Sequence, residues 1–197
     1  MKKTVITISR EHGSGGRMIA AELSKLLGIP YYDKQVIALA AEESGLPEAV
    51  ILRNEQRKTS SFLYSLYMST QVMPIPDRVY IAQQNVIKTL SERESCIIVG
   101  RCADYILRDD PDLFRVFIHA PLEERIKRVH EVYGTEDGNV EERNLEKFIL
   151  RKDKQRADFY NYCSGMKWGH YKNYDLIINS TVGIETAAQI IKTALGL

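Results

Sequence analysis

No run in this chain of 197 residues reaches the roughly 20 apolar residues that a membrane-crossing helix needs, so a membrane span is not expected. An excess of charge of one sign is missing too: 27 Lys and Arg stand against 26 Asp and Glu, a net charge of +1. That balance offers no footing for nonspecific binding to nucleic acid or to a membrane surface, and neither partner is expected. Cysteine is scarce; Cys96, Cys102 and Cys163 make an odd number without the paired spacing of a metal site. Reduced thiols in a cytoplasmic protein are expected, because the first residues run straight into a strand pattern with no export signal. The four histidines, His12, His119, His130 and His170, lack H-x-x-x-H spacing. No G-x-S-x-G nucleophile elbow occurs either. A side-chain metal site is therefore not expected, nor is hydrolysis by an activated serine.

What is present is an alternation of short apolar runs with amphipathic ones. The chain is 44% hydrophobic and 27% charged, enough apolar residues for a sizeable core. Thr4–Ser9, Tyr31–Asp33, Cys96–Gly100, Phe114–Ala120 and Asp175–Asn179 read as strands. Helices are expected at Met18–Leu27, Lys34–Glu43, Asp77–Ser91, Leu122 to about Val132, Glu141–Arg156 and Ile184–Ala194. Gly28 and Pro30 mark the end of the first helix. Residues 46–77, which include the aromatic stretch Phe62–Tyr67, read as a helical insertion or flap. Four or five strands alternating with helices predict an α/β fold: a parallel sheet covered on both faces, with right-handed crossovers.

The first candidate site is Ser9-Arg10-Glu11-His12-Gly13-Ser14-Gly15-Gly16-Arg17, between the first strand and the first helix. Glycines allow positive φ and close backbone approach. Successive amides at the positive end of a helix then form a cradle for an anion. The full G-x-x-x-x-G-K-[ST] pattern is absent, since its lysine would fall near Gly16 and no hydroxyl follows. Arg10 and Arg17 are left to supply charge toward a phosphate, with Ser14 as a weaker oxygen donor and His12 as a further contact in the loop.

The segments ITISREHGSGGR, IPYYDKQVI, CIIVGRCADYIL, VFIHAPLEERIKRV, RKDKQRADFYNY and YDLIINS, in that order, resemble the cytidylate kinase-like proteins, a branch of the nucleoside monophosphate kinase group. The resemblance implies a three-layer parallel sheet of the P-loop nucleoside monophosphate kinase type. It implies one kinase-like domain over residues 1–197, an acceptor-side helical insertion over 34–80 and a lid-like segment over 125–160. It further implies ATP with Mg²⁺ and a small nucleotide as acceptor, with cytidine monophosphate one candidate. Arg10, His12, Gly13, Ser14, Gly15, Gly16 and Arg17 would face the ATP phosphates, and Asp33 and Arg101 the acceptor. Arg17, Arg125, Arg128, Asp153 and Arg156 would carry the transfer itself, the last two as an Asp-x-x-Arg pair.

Phosphoryl transfer asks for positioned positive charge more than for an ordinary base, which suits such a set of arginines. The chain departs from the pattern at the loop lysine and the hydroxyl after it. Lys34 also stands where cytidylate kinases tend to carry a serine. A non-catalytic nucleotide sensor or interaction protein on the same fold is thus the rival expectation. The sequence allows, without requiring, a homodimer through residues 59–72.

Overall fold

The computed structural model of the chain describes residues 3–54, 73–133 and 142–197. The aromatic stretch Phe62–Tyr67 and the expected homodimer segment 59–72 lie outside the described residues, as do parts of the expected 46–77 flap, 34–80 insertion and 125–160 lid. Strands β1 (Val5–Arg10), β2 (Tyr31–Tyr32), β3 (Cys96–Val99), β4 (Leu113–His119) and β5 (Leu176–Asn179) form one sheet in the order β2-β3-β1-β4-β5. Every pairing is parallel, with Ile6 opposite Ile97 on one side and Phe114 on the other. The α/β fold with a central parallel sheet is therefore the one observed.

Alternation along the strands sets the two layers, because successive side chains point to opposite faces. Ile6, Ile8, Ile97, Val99, Val116 and Ile118 face α1 (Gly16–Leu27) and α8 (Ile184–Ala194), burying Ile19, Leu23, Ala187 and Ile191. Val5, Cys96 and Ile98 face the other way. They pack on α2 (Gln35–Ser44), α3 (Glu48–Asn54), α4 (Ile75–Arg93), the short α5 (Ala103–Ile106) and Phe159 and Tyr160 of α7 (Leu145–Ser164). Each such aliphatic side chain contributes about 1.5–3 kcal/mol by leaving water. A third, smaller cluster joins Val129, Leu145, Phe148 and Ile149 between α6 (Leu122–Arg128) and α7. Among the described residues no helix is long and apolar enough to cross a membrane.

Two elements differ from the sequence reading. α7 begins at Leu145 and continues past Arg156 to Ser164, where Gly165 in the left-handed region closes it. α6 ends at Arg128 in a π-helical turn over Val129–Tyr133, an arrangement that concentrates near functional sites. Because β1 lies between β3 and β4, the strand order reverses beside it. The ends of β1, β2, β3 and β4 thus open on the crevice where parallel sheets place their ligands.

Candidate functional site

The chain leaves β1 at Arg10, turns through Gly13 (φ 78°) and Gly15 (φ 83°), and enters α1 at Gly16. A Cβ on Gly13 would sit 2.8 Å from the Arg125 carbonyl oxygen, so α6 leaves room for glycine alone. Gly15 is the N-cap of α1 and offers no side-chain cap, and no acid occupies the first turn. The positive end of this helix is therefore open to an anion. Ser14 spends its hydroxyl inside the loop, donating to the Glu11 carbonyl at 2.9 Å.

Guanidiniums from α6 and α7 grip the outside of the loop. Arg128 donates to the Gly13 carbonyl at 2.8 Å, Arg125 to that of His12 at 3.3 Å, and Arg156 to that of Arg10 at 3.0 Å. Asp153 accepts the His12 N–H at 2.6 Å and pairs with Arg125, whose Nε lies 3.6 Å from Glu11. A trans peptide points its N–H opposite to its C=O. With the His12 carbonyl turned to Arg125, the Gly13 N–H thus points away from that guanidinium. The expected members Arg125, Arg128, Asp153 and Arg156 all reach the loop, and in this structure they brace it.

Across the crevice, Asp33 follows β2 and is 5% exposed. Arg17 meets it at 2.7 Å, Arg101 at 3.3 Å and Arg10 at 3.7 Å. Burial works to raise the Asp33 carboxyl, but Arg10, Arg101 and Arg17 outweigh it and hold the group below its ordinary value. Arg10 is pulled the other way. Burial first, then Arg156 beside it, bring its guanidinium down to about 9 against the attraction of Asp33. Three guanidiniums thus share one carboxylate, with Arg156 beside Arg10, and a bound anion would relieve their repulsion.

Arg101 is placed by an unusual backbone. Gly100, Arg101 and Cys102 take φ of 77°, 54° and 55° in succession. Each non-glycine residue there costs about 1–2 kcal/mol, and such strain gathers at functional sites. The turn lays Arg101, 7% exposed, against Asp33 and the Val99 carbonyl. Arg10, Arg101 and Arg156 line a small cavity whose apolar wall is Phe159, Tyr160 and Trp168. Trp168 also packs edge-on against Phe117, with ring centres 5.3 Å apart.

Sequence reasoning missed Asp104, a carboxyl in the apolar stretch Cys102–Leu107 and 3% exposed. It lies behind this cavity, where Ser9 donates to it at 3.4 Å. Burial pushes the carboxyl up to about 6, opposed by Tyr160 and Ser9. The folded state therefore favours the protonated acid. Its contribution to stability is complete below about pH 4 and is lost as pH rises through about 6, by on the order of 2–3 kcal/mol. Asp104→Asn is expected to gain on the wild type between pH 4.5 and pH 7.5 in urea denaturation. A constant difference between the two proteins across that range would refute the assignment.

The metal that the loop pattern implies finds few ligands here. Among the described residues no group of three or more metal-ligating side chains occurs. Position 17 carries a guanidinium where the pattern has a hydroxyl, and Asp33 and Asp153 are both engaged by arginines.

The model of the cytidylate kinase-like family matches residues 5–182. The chain belongs to the cytidylate kinase-like family. It is 26% identical to a cytidylate kinase of Ignicoccus hospitalis over 194 residues, covering 98% of this chain and 99% of that one. An uncharacterized protein from Eubacterium ventriosum shares the fold with a TM-score of 0.73 and 30% identity, over 99% of both chains. The shikimate kinase of Bacteroides thetaiotaomicron follows at a TM-score of 0.60 and 15% identity, over 98% of this chain and 99% of that one, a likeness of fold alone.

Proposed function

We propose that this family member transfers a phosphoryl group from ATP to a small phosphorylated acceptor, with a nucleoside monophosphate the favoured class and cytidine monophosphate a candidate within it. The observation that carries this reading is the set Arg10, Arg17 and Arg101 gathered around the carboxylate of Asp33 beside the glycine loop, with Arg156 next to Arg10. A neutral acceptor would leave that positive charge unanswered, whereas a phosphate monoester brings up to two negative charges. Its oxygens are already largely ionised at neutral pH, so the transfer needs no general base. An acceptor oxygen bonds to the γ-phosphorus as the bond from that phosphorus to the β–γ bridging oxygen breaks, and ADP leaves.

In this scheme the amides around Gly13–Gly16 hold the donor phosphates. Arg101 and Asp33 position the acceptor, and Arg156 and Arg17 balance the charge in transit. Magnesium would come with the nucleotide, coordinated by phosphate oxygens and water, and this chain's side chains act directly on the phosphates. The cavity wall of Phe159, Tyr160 and Trp168 excludes water from the transferred group, which limits hydrolysis.

A second reading has its own observation. The loop lacks a lysine at 16 and a hydroxyl at 17, and the Ser14 hydroxyl is spent within the loop. That combination favours a nucleotide sensor without catalysis. The deciding experiment offers radiolabelled ATP and magnesium to the protein with a panel of nucleoside monophosphates and small phosphorylated metabolites. A labelled product from the wild type that disappears in Arg101→Ala supports the transferase. Saturable ATP binding with no product across the panel supports the sensor.

A further inference from the structure

The loop has not simply lost its lysine. When G-x-x-x-x-G-K-[ST] is laid on residues 10–17, Arg10 stands at the first glycine, Gly15 at the second, Gly16 at the lysine and Arg17 at the hydroxyl. The changes at 10 and 16 meet in space. A Cβ on Gly16 would lie 2.8 Å from Arg10 Cβ and 2.9 Å from Arg10 Cγ, closer than atoms of a strand-anchored stem can yield. The other end of the same side chain lies against a second glycine: a Cβ on Gly100 would meet Arg10 Nη1 and lie 2.9 Å from Arg10 Cζ, although this guanidinium end can shift more readily than the stem. Arg10 therefore runs over Gly16, the first residue of α1, and ends over Gly100, the first residue of the left-handed turn after β3. Glycine at 16 is what the arginine's stem requires.

We infer that Arg10 supplies, from the end of β1, the positive charge that a lysine at position 16 would supply from the start of α1, and that it engages the terminal phosphate of the nucleotide donor. This rests on nucleotide binding at the loop, as in the function proposed above. The arginine brings a planar fork that can pair with two phosphate oxygens, where an ammonium acts as a point charge. It lies beside Arg101 and Asp33 on the acceptor side and beside Arg156, which grips the Arg10 carbonyl. One guanidinium thus faces both the donor's terminal phosphate and the acceptor's phosphate. Arg17 is the tighter partner of Asp33, its Nε at 2.7 Å against 3.7 Å for Arg10.

The test compares Arg10→Gly, Gly16→Lys and the double variant Arg10→Gly/Gly16→Lys by calorimetric titration with a non-hydrolysable ATP analogue and magnesium. Arg10→Gly is expected to weaken binding by about 10- to 100-fold, the loss of one or two charge-assisted hydrogen bonds. Gly16→Lys alone should weaken it by about tenfold or more, since the new stem collides with Arg10. In the double variant the collision is gone and a loop lysine is present, so affinity should return to within about threefold of the wild type. Should Arg10→Gly fail to fold, Arg10→Met keeps the stem, removes the charge and carries the same expectation.

The inference is overturned if Arg10→Gly binds the analogue as the wild type does, if the double variant is no better than Arg10→Gly, or if the wild type does not bind it. Binding that depends on Arg10, with no transfer to any acceptor, upholds the inference and sinks the transferase. Transfer that survives Arg10→Gly does the reverse.

Discussion

Arg156→Ala is expected to lower kcat for phosphoryl transfer by about 100- to 1,000-fold, the usual cost of removing one donor aimed at charge that develops during reaction. Arg156 projects from α7 and donates to the Arg10 carbonyl at 3.0 Å, while its other Nη lies 3.4 Å from His12 Nδ1. It also lines the cavity beside Arg101. From that position it would, under the proposed function, stabilise charge on the moving phosphoryl group, and it holds the Arg10 carbonyl at the start of the loop. A role confined to the transition state lowers kcat and kcat/KM together, whereas a role in acceptor binding alone raises KM and spares kcat. A purely bracing role predicts a third result, a lower thermal midpoint with kcat unchanged. Steady-state kinetics on Arg156→Ala and Arg156→Lys, with thermal melts of both, separates the three. Partial rescue by lysine is expected, because it restores charge without the fork.

Asp33→Asn should act on stability first. Three guanidiniums approach this one buried carboxylate, and removing the negative partner of a buried ion pair costs about 3–5 kcal/mol. The folded-state carboxyl lies below its ordinary value. Its contribution is therefore present above the unfolded value near pH 4 and is lost as pH falls below it. The stability gap between wild type and variant, read from denaturant midpoints, should be widest near pH 7 and should close toward pH 3. Inorganic pyrophosphate should then stabilise the variant more than the wild type, because an anion replaces the missing charge. Equal midpoints at pH 7, or the same pyrophosphate shift in both proteins, would show that the arginines do not depend on Asp33.

The first thirty residues were the most legible part of the chain. Thr4–Ser9 and Met18–Leu27 fall within a residue or two of β1 and α1. The residues missed at the start of α1 are Gly16 and Arg17, because a helix that starts on glycine without a side-chain cap carries no start signal. α5 escaped notice because its four residues are too few to show a period. The extension of α7 to Ser164 was hidden by Arg151–Arg156, six residues of which only Gln155 and Asp153 are not cations; the stop signal comes only at Gly165.

At the site, residue type was readable and partnership was not. Asp33, Arg101, Asp153 and Arg156 were singled out by the family resemblance, and the structure sets Arg101 against Asp33, Asp153 against the His12 N–H and Arg156 against the Arg10 carbonyl. That Arg125 would be buried between Glu11 and Asp153 depends on the packing of α6 against the loop, which no local pattern encodes. Asp104 left a faint signal that could have been used, a lone acid among apolar neighbours. The meeting of Arg10 with Gly16 left none, since the two are joined across a turn whose path is set by backbone angles.

That meeting also constrains how the loop can change over generations. With Arg10 in place, any side chain at 16 collides with its stem, beginning with the smallest, a methyl group. With Arg10 gone, position 16 is still glycine and the loop has no cation of its own there. On the inference drawn for Arg10, each single substitution toward a lysine-bearing loop would pass through a defective intermediate, and a lysine at 16 would become accessible only where position 10 changes with it.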